Sequence, residues 1–108
     1  MDYMERLRRF SIHDAGLGAD LLDEVAGGPG QLDLKSVALV QLAALVAMGG
    51  TVASYGAHAD AAVGAGATVD EIVDVLVRVL PVVGYPRVVA AAPELASALG
   101  YDIDGDIR

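Results

Sequence analysis

Two apolar runs, 34–48 and 52–65, follow one another with little more than Gly49 and Gly50 between them, and they leave this chain few architectures. Neither run alternates apolar and polar residues one by one, so neither reads as a half-buried strand. Both carry helical periodicity. The first, LKSVALVQLAALVAM, is apolar on nearly all sides, as expected of a helix enclosed by others. Its apolar core, Val37 to Met48, contains Gln41 and is too short to span a bilayer. The second is rich in small residues, and Ala57, Ala61, Ala62 and Gly64 would let another helix approach closely. An antiparallel helix pair at the centre of an all-α bundle is the expectation.

The remaining segments extend the bundle to five or six helices in a single domain spanning residues 1–108. Residues 2–10 form a short amphipathic helix with Tyr3, Leu7 and Phe10 on one side; Arg6, Arg8 and Arg9 are a solvated face or donors to an acidic neighbouring subunit. His13 and Asp14 open a turn. Residues 17–26 follow, with Leu21, Leu22 and Val25 inward and Asp20, Asp23 and Glu24 toward water, and GGPGQ ends that helix. Asp33 caps the helix of the first apolar run. Gly66 closes the second run as a left-handed cap, and Thr68-Val69-Asp70-Glu71 is a capping-box pattern opening the next helix. Ile72, Val75, Leu76, Val79 and Leu80 keep helical spacing to about residue 80, with Asp74 and Arg78 paired on one flank. Pro81, Gly84 and Pro86 break that helix, with Tyr85 extended before Pro86. A last helix runs from about 86 to 99, kinked or restarted at Pro93.

Composition narrows the function classes. Of the 108 residues 55% are hydrophobic, yet Trp is absent and Phe occurs once, so the apolar surface comes from Ala, Val and Leu. So small a chain cannot cover those faces alone, which implies a homo-oligomer completing its core between subunits. The formal charge of −8 argues against nucleic acid and anionic membrane as partners. There is no cysteine, and the start MDYMERLRRF lacks the apolar segment of a signal peptide, so a cytoplasmic location is expected.

One stretch concentrates chemistry. Thr51, Ser54, Tyr55 and His58 are three and four residues apart and so share one helix stripe. With the helix N-terminus that Thr51 caps, two hydroxyls and an imidazole would make a small anion-binding, proton-handling pocket. The alternative is a polar seam where a buried helix needs hydrogen bonds. Gln41, as a buried amide, either bonds a backbone carbonyl or reaches toward this stripe. Arg87 sits in the first turn of the last helix, against the dipole, which makes it a candidate for pairing with an acid or a substrate carboxylate. In the tail, Asp102, Asp104 and Asp106 invite a calcium reading, but Gly105 falls at the wrong position for a calcium loop. No phosphate loop, nucleophile elbow or metal-spaced histidine pair is present, so no metal or cofactor is expected.

The run LDLKSVALVQLAALVAMGG, then YGAHADAAVGAGATVDEIVDVLVRVLPVVGYP, resembles the carboxymuconolactone decarboxylase family, which includes the alkylhydroperoxidase-D-like proteins. The resemblance covers about residues 32–99. It rests on His58 followed by a small-residue helix, on AGAT-x-x-E-I at Ala65 to Ile72, and on L-P-x-x-G-Y-P at Leu80 to Pro86. The redox branch of that family carries C-x-x-C with a histidine four residues on, and counting back from His58 puts Thr51 and Ser54 at those positions. Its preceding glutamate falls near Ala38 and Leu39. Thiol–disulfide chemistry is therefore excluded, since the thiolate nucleophile is missing. The resemblance implies an alkylhydroperoxidase-D-like bundle, trimers or hexamers built from trimers, and a cofactor-independent decarboxylase or isomerase acting on a small carboxylated, including lactone-type, molecule. His58 would be its acid–base group, with Thr51, Ser54 and Gln41 holding substrate and Tyr55 or Tyr85 closing the pocket. The other reading is a non-catalytic scaffold or small-ligand binder of the same fold.

Overall fold

A computed structural model describes residues 2–28 and 30–101; the acidic tail with its calcium reading lies outside them. Six helices and no strand are present among the described residues: α1 (Tyr3–Ser11), α2 (Leu17–Ala26), α3 (Leu34–Met48), α4 (Val52–Gly64), α5 (Val69–Val83) and α6 (Tyr85–Ala98). None of these helices is long and apolar enough to cross a membrane. The chain divides into two units, Met1–Asp33 and Leu34–Arg108.

In the first unit Asp2 caps α1, its carboxylate accepting the Glu5 N–H at 2.7 Å. The turn after α1 passes through His13 at φ 55°, and the Asp14 carboxylate accepts the Gly16 N–H at 2.8 Å. Charge then ties the two helices together. Arg6 meets Glu24 at 3.0 Å, and Arg9 reaches both Asp14 at 2.9 Å and Asp20 at 2.8 Å. The arginines therefore pair with acids of their own unit, and α2's acids do not simply face water. The Arg9 hydrogen bond and the Gly16 N–H hold the Asp14 carboxyl below the usual carboxylate range. Leu22 and Val25, expected inward, are exposed, as are Tyr3, Leu7 and Phe10.

The second unit has the apolar core. Leu42, Val46, Tyr55, Ile72 and Leu95 are its largest fully buried side chains, with Ala38, Ala59, Ala62, Ala67 and Ala91 between them. Helix α3 packs against α4, α5 and α6, so the expected central pair is present. It is not enclosed all round, however. Ala38, Leu42 and Val46 make one buried stripe at four-residue intervals, while Leu34, Val40, Gln41 and Met48 are exposed. Gln41 is thus not a buried amide.

Local sequence rules set the ends of these helices. The Thr51 hydroxyl caps α4 by accepting the Ser54 N–H at 3.1 Å. At its far end Ala67 N–H bonds Ala62 C=O and Gly66 N–H bonds Val63 C=O, the two bonds of a Schellman motif. Thr68 and Glu71 form the capping box reciprocally, at 3.1 and 2.9 Å, and Glu71 also takes Lys35 of α3 at 2.9 Å. Two expectations need correction. Helix α5 does not stop at Pro81 but continues to Val83, and Tyr85 is not extended but begins α6. The break is made by Gly84 alone, at φ 90°, ψ 158°, a conformation open to glycine. That places Pro86 in the first turn of α6, where a missing N–H costs no helical bond. Pro93 does not restart α6, which runs through it to Ala98.

Candidate functional site

A cavity of about 260 Å³ opens where the C-terminal end of α3 meets α4 and α6, lined by Val46, Gly49, Gly50, Tyr55, Arg87, Ala90, Ala91 and Glu94. Four of these come from α6 at i, i+3, i+4 and i+7, one face of the helix. Arg87 and Glu94 stand at the two ends of that face, about 10 Å apart along the axis. Ala90 and Ala91 lie between them and leave the space open. Tyr55 enters from α4. In the turn between α3 and α4 the backbone calls for glycine at Gly49, and both glycines lie close to side-chain ends. Gly49 adopts φ 85°, and a Cβ there would lie 2.9 Å from the Arg87 Nη1. A Cβ on Gly50 would come within 2.6 Å of Leu45 Cδ1. The close backbone leaves the guanidinium its place at the cavity mouth.

The polar groups of this cavity are not spent on one another. Tyr55 is 1% exposed, and its hydroxyl has no hydrogen-bond partner among the described residues. An unpaired buried hydroxyl costs about 1–3 kcal/mol, so its persistence needs a reason. Arg87 makes no ion pair among the described residues, Glu94 included. Burial pushes the Tyr55 phenol above its ordinary range; the negative charge of Glu94 adds to this and the positive charge of Arg87 opposes it. Two other hollows differ. The α3–α5 groove has Glu71 already bound to Lys35 and Asp74 bound to Arg78, and the α5–α6 hollow is lined by apolar residues and Tyr101.

Of the residues singled out in the sequence, Tyr55 and Arg87 line this cavity. The Thr51 hydroxyl donates to Ser54 Oγ at 3.1 Å and caps α4, so the hydroxyl pair is engaged at the helix start. His58 is half-buried one turn beyond and is not part of the lining. Tyr85 is 69% exposed and Gln41 is exposed on α3. Sequence reasoning picked out Arg87 and missed Glu94. The signal was available in the spacing Arg87, Ala90, Ala91, Glu94: two opposite charges framing two small residues on one helical face.

With this geometry in hand, comparison with known proteins adds one relationship. The model of the carboxymuconolactone decarboxylase family matches residues 17–97. Neither curated proteins nor solved structures give a match. Three quarters of the sequence falls within the matched range, all of α2 to α5 included, and the chain belongs to the carboxymuconolactone decarboxylase family.

Proposed function

We propose that this chain is a cofactor-independent enzyme of the decarboxylase or proton-transfer isomerase type, binding a small carboxylated molecule in the Tyr55–Arg87–Glu94 cavity. The observation that carries this reading is the buried Tyr55 hydroxyl, which has no hydrogen-bond partner among the described residues and belongs to a side chain lining the same cavity as Arg87, itself without an ion pair among them. The volume of about 260 Å³ lies just below the ~300–1,000 Å³ range of small-molecule sites, which limits the occupant to a small metabolite.

The chemistry follows from the groups. Arg87 anchors anionic oxygens through charge-assisted hydrogen bonds. When the carbon–carboxylate bond breaks, CO2 leaves and the electron pair passes into an enolate-like anion. Its negative charge stays within reach of Arg87, and the Tyr55 hydroxyl donates to the oxygen where that charge grows. The phenol proton then completes the new C–H bond, and solvent restores it. His58, half-buried on the next turn of α4, is the acid–base group of the family-based variant of this reading; the unpaired hydroxyl favours Tyr55. The test is CO2 release, or proton exchange at carbon, across a panel of short β-keto and lactone carboxylates. Turnover lost in Tyr55→Phe and retained in His58→Gln is the expected result; the reverse would move the proton carrier to His58.

A second reading, a small-ligand binder without turnover, is favoured by one observation. The two positions that hold thiols in the redox branch carry hydroxyls bonded to each other. Carboxylate binding without CO2 release or exchange across that panel would establish it. Under either reading we propose a homotrimer, or a hexamer of trimers. Val40, Met48, Val63, Val82, Tyr85 and Val89 are all more than half exposed on the second unit, more apolar surface than a lone small domain usually shows. A stable monomer at micromolar concentration in light scattering would contradict it.

A further inference from the structure

The two ends of the cavity carry opposite charge. Arg87 and Glu94 share one face of α6, yet no ion pair joins them among the described residues. A ligand filling this space lies along the Ala90–Ala91 floor and meets a cation at one end and a carboxylate at the other. An anionic group beside Glu94 would be repelled at short range by the like charge. A hydroxyl or ammonium there would donate to the carboxylate.

We infer that the molecule recognised here is a short acid with a hydrogen-bond donor at its far end, a hydroxy acid or amino acid and not a dicarboxylic acid. The carboxylate rests on Arg87 and the donor on Glu94. This rests on the carboxylate-binding reading above and goes beyond it by assigning the second end. Glu94 thereby acts as a specificity residue. Its rejection of a second carboxylate matters as much as its attraction for a donor.

The test is a calorimetric titration of the whole protein with four ligands of one length: butyrate, 4-hydroxybutyrate, 4-aminobutyrate and succinate. The wild type should bind 4-hydroxybutyrate or 4-aminobutyrate at least about tenfold more tightly than succinate. Glu94→Gln should narrow that gap by about fivefold or more, chiefly by gaining affinity for succinate, and Glu94→Asp should restore part of it. Loss of the aminobutyrate preference in Glu94→Gln with hydroxybutyrate little changed would identify ammonium as the donor; the converse would identify hydroxyl. Succinate binding most tightly to wild type, or equal ratios in wild type and Glu94→Gln, would overturn the assignment while leaving carboxylate binding intact. No binding of any of the four to folded wild type would overturn both. Glu94 is only partly buried, so circular dichroism melting suffices to confirm that the variants fold.

Discussion

Two polar groups of residues meet on helix α4 and behave oppositely. Thr51 and Ser54 lie at its start, where one hydroxyl caps the helix and also bonds the other. Tyr55, the next residue, is buried with its hydroxyl unpartnered among the described residues, and its side chain lines a cavity shared with Arg87 and Glu94. The first group uses its hydrogen-bonding capacity locally. The second leaves its capacity open. Polar residues sharing a helix stripe need not share a site, and what marks this site is unspent capacity around one cavity.

That contrast is most strongly tested at Arg87. Arg87→Gln should weaken binding of a short carboxylate on the order of 10- to 100-fold, the usual worth of a hydrogen bond to a charged group, with little change in melting. Calorimetry on the folded variant checks this. Tyr55→Phe should lower affinity about 3- to 10-fold, and its stability at neutral pH should hold or rise because an unsatisfied hydroxyl is removed. The pH dependence has a definite sign. The folded protein keeps the phenol protonated above the ordinary tyrosine value, so as pH rises past ~10 the unfolded chain loses that proton first. Wild-type stability therefore falls there, and Tyr55→Phe should escape this part of the loss, visible as urea midpoints that diverge above pH ~10.

Smaller effects belong to the capped end of α4. Thr51→Ala should cost about 1 kcal/mol of stability through the lost cap, measurable by urea unfolding, while carboxylate affinity stays unchanged. His58→Gln should change affinity less than about twofold and stability within about 0.5 kcal/mol, as for a substitution outside cavity and core. A large loss of affinity in either variant would erase the distinction between the two groups.

The reading of the fold from sequence succeeded where local chemistry decides. The Thr51 cap, the Thr68–Glu71 box and the glycine-terminated end of α4 are short-range rules, and each is present. It failed where one punctuation residue overrides another: Gly84 takes the whole turn, so Pro81 and Tyr85 remain helical. In the first unit the arginines could not be assigned because Asp14, Asp20 and Glu24 come within reach only when α1 and α2 fold together. The site was half legible for a similar reason. Tyr55 belonged to a visible stripe, but Glu94 acquires meaning only when α6 lies across from Tyr55, a tertiary fact. Gln41 was misjudged because an apolar helix was taken to be buried on every side, and its outer face is open.

The most direct measurement is a crystal structure of the protein soaked with 4-hydroxybutyrate. Electron density for the acid between the Arg87 guanidinium and Glu94, within hydrogen-bond distance of the Tyr55 hydroxyl, is the predicted result. Density lying instead along Thr51, Ser54 and His58, with the Tyr55 cavity unchanged, would contradict it.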